Sequence, residues 1–255
     1  MSLDIWLVFR REMVHQYRQP AWLVMGLAQP VLYMFFFGPL VGKFVTYTPG
    51  FPPGGIWTVF APALMVQMVI IGSSFVGGSL LAEYRSGVFD RFSVSPMRPT
   101  ALLTGKLLAV ALNVLTQAGA ITLLCVVVFG VEPPVLGVIL CMSIVAFLSI
   151  AIASSSYALA LRLKSEERFP AVLNALLLPL FLLSGTLLPI TAKLAPVWLW
   201  ELSRLNPVAY VMDASRASFR GDFSVHALFP GMAALAVMTS VAFLWAVRTF
   251  SRQNL

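Results

Sequence analysis

Apolar residues dominate the chain in six long runs, and charged residues are confined to the segments between them. A membrane-spanning helix needs about 20 consecutive, mostly apolar residues. Six stretches reach this length without Asp, Glu, Lys or Arg, and they cover residues 22–42, 57–81, 107–129, 134–161, 170–190 and 227–247. The pattern therefore predicts an all-α integral membrane protein with six transmembrane helices.

The first 18 residues follow the pattern of an amphipathic helix. Leu3, Trp6, Phe9, Met13 and Tyr17 recur at intervals of three and four, and the charged residues lie off this stripe. A helix with one aromatic-rich apolar face and one basic face lies along a membrane surface. We expect residues 1–18 to form an interfacial helix ahead of a transmembrane domain over residues 20–253. Packing of the stripe on a cytosolic partner is the alternative.

The fifth apolar run contains residues that interrupt a regular helix. Pro179 is followed by Ser184, Gly185 and Thr186, and then by Pro189. Irregular backbone inside a membrane survives only where protein or a water-filled cavity satisfies its polar groups. Two structures remain open for this run: a helix kinked at proline, and a helix that ends in a re-entrant piece near the outer surface.

The composition supports a membrane protein. Of the 255 residues, 59% are hydrophobic and 11% are charged, and the mean hydropathy is +0.89. Because soluble domains have about 25% charged residues, the composition argues against a soluble enzyme and against a nucleic-acid-binding domain.

The distribution of Lys and Arg predicts the orientation of the helices. The N-terminal segment, the loops after the second and fourth runs and the C-terminus carry 12 of the 17 Lys and Arg residues, whereas the alternate loops carry 5. Cytoplasmic loops are the ones enriched in Lys and Arg. We therefore expect both termini in the cytoplasm, with Lys106 counted as the last basic residue of the loop after the second run.

The cytoplasmic loop after the second run has charged and aromatic residues that a simple connection between two helices does not need. It has charges of both signs, and Tyr84 and Phe89 stand outside the predicted membrane. Pro96 and Pro99 interrupt the helical pattern, which restarts at Thr100. Aromatic anchors within a charged rim favour docking into a groove on another protein. An ordinary positively charged loop is the alternative.

The segment 191–226, between the last two runs, predicts a short outer helix over residues 207–220. Asn206 is a good N-cap, Pro207 suits the first helical position, and Gly221 suits the position after the helix. Asp213 and Arg216 are spaced to pair on one face of this helix. A structural lid is the favoured role, and gating of a pathway is the alternative.

The sequence lacks the motifs that would let this chain bind ATP or catalyse a reaction by itself. It has no Gly-x-x-x-x-Gly-Lys-Ser/Thr phosphate-binding motif and no nucleophile elbow, and its two histidines, His15 and His226, fall on opposite sides of the predicted membrane. The predicted spans also lack the ionisable residues that proton-coupled carriers use as relays. We therefore expect a transporter that is not an enzyme, with no catalytic, cofactor or metal site, driven by a separate subunit.

Three motifs resemble the membrane subunit of bacterial type 2 ABC transporters, in particular the daunorubicin/doxorubicin-resistance drug exporters. The first is similar to the family's cytosolic coupling segment and comprises Glu83, Gly87, Asp90, Arg91, Ser95, Pro96, Gly105 and Lys106. The second lies at the end of the fifth run and comprises Leu183, Ser184, Gly185, Thr186 and Pro189. The third lies before the last run and comprises Asn206, Pro207, Tyr210, Asp213 and Arg216. Val88 departs mildly from the family, which often has Thr there.

The resemblance implies a division of roles along the chain. Residues 1–18 become the interfacial connecting helix, residues 83–95 a coupling helix on the ATPase, and residues 191–226 short re-entrant helices. The implied ATPase-coupling residues are Glu83, Arg85, Gly87, Phe89, Asp90, Arg91 and Pro96. The implied outer motif comprises Gly185, Pro189, Asn206, Pro207, Tyr210, Asp213 and Arg216.

The resemblance also implies an assembly and a function. Two permeases, identical or paralogous, pair with two ABC ATPase subunits in the bacterial plasma membrane, and ATP and Mg²⁺ bind to the ATPases. The implied cargo is a hydrophobic, drug-like molecule that is exported from the cell. The alternatives are export of lipid or cell-envelope polysaccharide by the same fold, an ion-coupled carrier, and a lipid-modifying membrane enzyme.

Overall fold

The computed structural model describes residues 2–18, 20–45, 55–86, 99–186, 190–191 and 194–252, and in these ranges it contains helices and turns but no strand. The helices are α1 Ser2–Tyr17, α2 Pro20–Leu32, a π-helical turn Tyr33–Phe37, α3 Gly38–Val45, α4 Gly55–Ser74, α5 Val76–Arg85, α6 Pro99–Phe129, α7 Val135–Leu163, α8 Arg168–Leu182, α9 Val197–Arg204, α10 Pro207–Arg220 and α11 Val225–Ser251. The predicted all-helical fold is confirmed.

Four helical stretches are long and apolar enough to cross a membrane. They are Gly55–Arg85, which combines α4 and α5, together with α6, α7 and α11. The run predicted at 22–42 lies within the uninterrupted helical stretch Pro20–Val45 formed by α2, the π-helical turn and α3, and the run predicted at 170–190 appears as the shorter apolar helix Arg168–Leu182. The count of six spans therefore stays a prediction. Helix α8 ends at Leu182 and leads into a turn over residues 183–186.

Helix α7 is the central element of the described bundle. It packs against α4, α5, α6, α10 and α11. Many of its buried residues are small, including Ala151, Ala153, Ser154 and Ala158. Since lipid chains are as apolar as leucine, helices in a membrane associate through close packing, and small residues permit that approach.

The helices meet neighbours at two opposite ends of the bundle. At the end named here the α1 end, α1 packs on the start of α6 and the last residues of α5 meet the turn after α7. At the α10 end, α10 lies against the starts of α4, α7 and α11. The distribution of Lys and Arg predicts that the α1 end faces the cytoplasm.

Helix α1 has one face on the protein and another face exposed. Val8 is buried, and a Cβ on Gly105 of α6 would lie only 2.7 Å from the Val8 Cβ atom. Leu3 and Trp6 of the predicted apolar stripe are exposed, and the Trp6 ring stacks on Phe9. The predicted helix is confirmed. Its location at the membrane surface stays a prediction, and the exposed aromatic stripe is the face that an interface would cover.

The second apolar run, predicted as one continuous span, contains a break at Phe75 between α4 and α5. The Ser156 hydroxyl of α7 donates to the Ser74 carbonyl and accepts from the Gly77 amide, at 2.9 Å in the latter bond. A side chain inserted into the backbone ladder is a recognised cause of helix kinks. The break is therefore held by α7, and it separates α5 from the apolar body of α4.

We expect Gly77→Ala to destabilise the protein, whereas Gly78→Ala does not. A Cβ at residue 77 would lie 2.6 Å from the Ser156 carbonyl oxygen, while one at residue 78 meets only a Phe169 ring carbon at 3.9 Å. Overpacking of this kind costs about 1–3 kcal/mol. Thermal unfolding of both variants in detergent checks this, and equal midpoints would contradict the close contact at residue 77.

Candidate functional site

A buried lysine joins three helices at the α1 end. The Nζ atom of Lys106, on α6, lies 2.8 Å from Glu12 Oε1 on α1 and 2.8 Å from Glu83 Oε2 on α5. Arg11 Nη2 lies 3.3 Å from the other Glu83 oxygen. The side chain of Lys106 is 2% exposed, and those of Glu12 and Glu83 are 18% and 20% exposed. These four residues, two cations and two carboxylates, are called here the Lys106 cluster.

Burial makes the two carboxylates necessary for Lys106. Removing an ammonium group from water costs several kcal/mol, and breaking a buried pair by deleting one partner costs about 3–5 kcal/mol. Because Glu12 and Glu83 come from different helices, movement of either α1 or α5 away from α6 removes one of the two carboxylates that neutralise this charge. The Lys106 cluster therefore constrains the mutual position of all three helices.

The expectation that Lys106 belongs to a loop is wrong. Helix α6 begins at Pro99, close to the predicted restart at Thr100, and Lys106 lies inside it. The neighbouring Gly105 lets α1 approach closely, since any side chain there would meet Val8. A loop assignment follows from charge alone, because a lysine beside an apolar run usually marks its aqueous end. The partner carboxylates come from distant parts of the chain and leave no local pattern.

The last turn of α5 also contacts the turn between α7 and α8. Arg85 Nη1 lies 2.9 Å from Glu166 Oε2, and Lys164 Nζ lies 3.4 Å from the Tyr84 hydroxyl. Both contacts are exposed to solvent, where an ion pair contributes about 0–1 kcal/mol. The end of α5 thus has a partly buried ion pair on one side and weak surface contacts on the other.

The structure describes two of the predicted ATPase-coupling residues. Glu83 and Arg85 lie in the last turn of α5, directed to the partners given above. The other five, Gly87, Phe89, Asp90, Arg91 and Pro96, lie outside the described residues. A role in coupling stays a prediction for all seven. The structure adds Arg11 and Lys106 as ion-pair partners of Glu83, and Glu12 as the second partner of Lys106.

The helix predicted at residues 207–220 is confirmed as α10, and its location on the outer side of the membrane stays a prediction. The Asn206 side chain accepts a hydrogen bond from the Val208 amide at 3.0 Å, and Pro207 occupies the first helical position. Gly221 has φ of +81°, the left-handed conformation that favours glycine after a helix. Asn206 Nδ2 also donates to the Leu180 carbonyl at 2.7 Å, which attaches α10 to the end of α8.

Arg216 connects α10 to two other segments through carbonyl groups. Its Nη2 atom donates to the Gly185 carbonyl at 2.7 Å, and its Nε atom donates to the Val59 carbonyl at 3.4 Å. The residue is 4% exposed. Burial lowers the pKa of Arg216 to about 10, which leaves the guanidinium charged at neutral pH. Arg216 thus holds the turn after α8 and the first turns of α4 against α10.

Asp213 has a different ion-pair partner from the one that its spacing predicts. Asp213 Oδ2 lies 3.4 Å from Arg204 Nη1 on α9, whereas the donors of Arg216 point to carbonyl groups. The Arg204 guanidinium also lies over the Tyr210 ring, 5.3 Å from its centroid. Asp213 and Arg216 still interact electrostatically across one helical turn, but the ion pair at contact distance is the one with Arg204 of α9.

An open cavity of about 390 Å³ lies at the α10 end. Its polar lining includes Tyr210, Asp213 and Arg216 of the predicted outer motif, together with Arg204, Arg220 and His226. Gly185 reaches the same region through its hydrogen bond to Arg216, while Pro189 lies outside the described residues. The structure therefore brings most of the outer motif together around a cation-rich depression.

Comparison with known proteins identifies relatives of the chain. The family model for the ABC-2 type transporter matches residues 4–220, from α1 to the end of α10. Over 214 residues, 84% of this chain and 73% of the relative, it is 26% identical to "Putative transport permease ycf38" of Cyanophora paradoxa.

Two bacterial relatives carry transporter names as well. The chain is 27% identical over 163 residues to the Daunorubicin resistance ABC transporter permease protein DrrB1 of Streptomyces coeruleorubidus, covering 64% of this chain and 57% of that protein. It is 25% identical over 203 residues to the Probable multidrug ABC transporter permease YbhR of Escherichia coli (strain K12), covering 77% and 53%. The chain spans little more than half the length of these two relatives. The match over residues 4–220 nonetheless includes both the Lys106 cluster and the outer motif, and the chain belongs to the ABC-2 type transporter family.

Proposed function

We propose that this chain is the permease of an ATP-driven exporter in which the Lys106 cluster transmits movement of the ATPase to the membrane helices. Membership of the ABC-2 family implies a membrane component of an ABC transporter, with an ABC ATPase as partner. The observation that carries the proposal is the position of Glu83. It belongs to the predicted coupling segment, residues 83–95, and it is also the partner of buried Lys106.

The contacts of α5 differ in strength, and this difference suggests a path for the movement. The surface pair between Arg85 and Glu166 contributes about 0–1 kcal/mol and is readily exchanged. Separation of Glu83 from Lys106 costs more, because it leaves the buried ammonium with Glu12 as its one remaining carboxylate in the Lys106 cluster. When an ATPase displaces the coupling segment, the last turn of α5 therefore leaves the turn after α7 but carries α1 and α6 with it, while the first turn of α5 stays bound to Ser156 of α7. The break at Phe75 allows α5 to tilt relative to α4.

The assembly that this mechanism requires contains two permeases, identical or paralogous, and two ATPases that bind ATP and Mg²⁺. Nucleotide-driven closure of the ATPase pair then moves two coupling segments at once. Both chain termini lie on the ATPase side of the membrane, in line with the distribution of Lys and Arg.

The proposed cargo is a hydrophobic, drug-like molecule. The apolar runs carry no charged residue, which suits an apolar cargo better than a charged one. The names of DrrB1 and YbhR refer to daunorubicin resistance and to multidrug transport. Lipid and cell-envelope polysaccharide are the competing cargoes, and a panel of substrates in vesicles with the cognate ATPase distinguishes among them.

We expect Glu83→Gln and Gly87→Leu to uncouple transport while the protein still inserts into the membrane. Glu83→Gln weakens the hold on Lys106, and Gly87→Leu adds bulk to the coupling segment. We expect the rate of ATP-dependent efflux from vesicles to decrease severalfold while the amount of inserted protein stays unchanged. Glu201→Gln, on exposed α9 at the other end of the bundle, is the matched control.

Two outcomes bear on different parts of the proposal. Normal ATP-dependent efflux by both variants would contradict a coupling role for this segment. Failure of any ABC ATPase encoded beside the permease to co-purify with the wild-type chain would contradict the proposed assembly itself.

We expect single cysteines at Ser86 and Ser224 to be labelled from opposite sides of the membrane. Both residues are exposed, Ser86 at the α1 end and Ser224 at the start of α11. The native Cys125 and Cys141 are buried and are replaced by alanine in the background protein. In intact cells a membrane-impermeant maleimide should modify residue 224 and spare residue 86. The reverse pattern would overturn the predicted orientation.

A further inference from the structure

We propose that a groove at the α1 end, between α7 and α11, binds the phosphate headgroup of an anionic membrane phospholipid. The groove has a volume of about 690 Å³. Four cationic side chains line it, Arg162 and Lys164 from the end of α7 and Arg248 and Arg252 from the end of α11. The inference concerns a site separate from the Lys106 cluster and does not depend on the proposed function.

The charge of the groove is one-sided. None of the described residues that line it is acidic. In the part of the chain that the structure describes, neither Arg248 nor Arg252 has a carboxylate within ion-pair distance. A basic residue at a helix C-terminus is favourable through the helix dipole, but like charges one turn apart repel each other. An anion between the two helices removes this repulsion.

Arginine is suited to recognition of a phosphate group. Its guanidinium presents paired N–H donors that match two phosphate oxygens, which makes the contact stronger than a single charged hydrogen bond. Arg248 and Arg252 are exposed and can turn toward a headgroup, and Arg162 is exposed beside them. Clusters of basic residues between helix ends on the cytoplasmic side are a general feature of anionic-lipid sites.

The other wall of the groove is apolar, and this favours a lipid over an acidic protein. Val241, Leu244 and Trp245 of α11 line it, and the first two are 63% and 52% exposed. These residues belong to the stretch of α11 that is apolar enough to cross a membrane. The Arg162 guanidinium lies over the Trp245 ring at 5.3 Å, which places a cation at the boundary of the apolar wall. A phospholipid has the same division, with acyl chains beside a charged headgroup.

Lys164 connects the groove to the coupling region. Its Nζ atom contacts the Tyr84 hydroxyl at 3.4 Å and lies 5.2 Å from the Tyr84 ring centroid. A lipid phosphate in the groove competes with Tyr84 for this ammonium. Lipid binding is therefore expected to loosen one of the surface contacts at the end of α5.

The test measures lipid binding to the purified full chain by native mass spectrometry. Wild-type protein is titrated with phosphatidylglycerol and, separately, with phosphatidylcholine, and we expect tighter binding of phosphatidylglycerol. Because each basic residue near an anionic lipid surface contributes about fivefold in affinity, Arg248→Gln should weaken phosphatidylglycerol binding about fivefold. Arg248→Lys should recover part of the loss. Arg168→Gln, which removes an exposed charge outside the groove, should leave the affinity unchanged.

Several results would overturn the proposal. Equal affinity for the two lipids would show that the groove does not select a charged headgroup, and an equal loss in Arg168→Gln would show that charge acts without a site. Displacement of phosphatidylglycerol by excess inorganic phosphate would point to a soluble phosphate ligand instead. Unchanged lipid binding in Arg248→Gln, with loss of ATPase co-purification, would point to an acidic protein surface as the occupant.

Discussion

The buried ammonium group of Lys106 is the constraint on which the assembly of the α1 end depends. A charge that is 2% exposed needs partners, and Glu12 and Glu83 supply them from helices that are otherwise separate. Gly105 makes this arrangement possible, since its missing side chain lets α1 lie directly on α6. The same buried charge on α6 therefore holds both the N-terminal helix and α5 in place.

The rest of the bundle contains a break in one helix and a second buried cation that joins several segments. Ser156 holds a break in the second apolar run at Phe75, so α5 is attached to α7 rather than continued smoothly from α4. At the opposite end, Arg216 plays a comparable joining role through backbone carbonyls of α4 and of the turn after α8. In the described residues each end therefore contains a buried cation that links segments, and the apolar runs between the two ends carry no charged residue.

Local features of the structure could be predicted from the sequence, and long-range pairings could not. The charge-free runs predicted the long helices, and the Asn206, Pro207 and Gly221 signals predicted both ends of α10, because capping depends on neighbouring residues. Lys106 was assigned to a loop because the carboxylates that pair with it, Glu12 and Glu83, lie far away in the chain. Asp213 was paired with Arg216 by spacing alone, although α9 supplies Arg204. The contact of Ser156 with the break at Phe75 likewise depends on the packing of α7 against α4 and α5, which the spacing of apolar residues does not predict.

The pairing of Lys106 with Glu83 is tested most directly by a double-mutant cycle on thermal stability and on ATP-dependent transport. The cycle compares the wild type with Lys106→Met, Glu83→Gln and the combined variant. If the two groups act as a pair, each single change destabilises the protein, and the combined variant loses less than the sum, with an interaction energy of about 0.5–3 kcal/mol. Additive losses in both measurements would contradict a pair that joins α5 to α6.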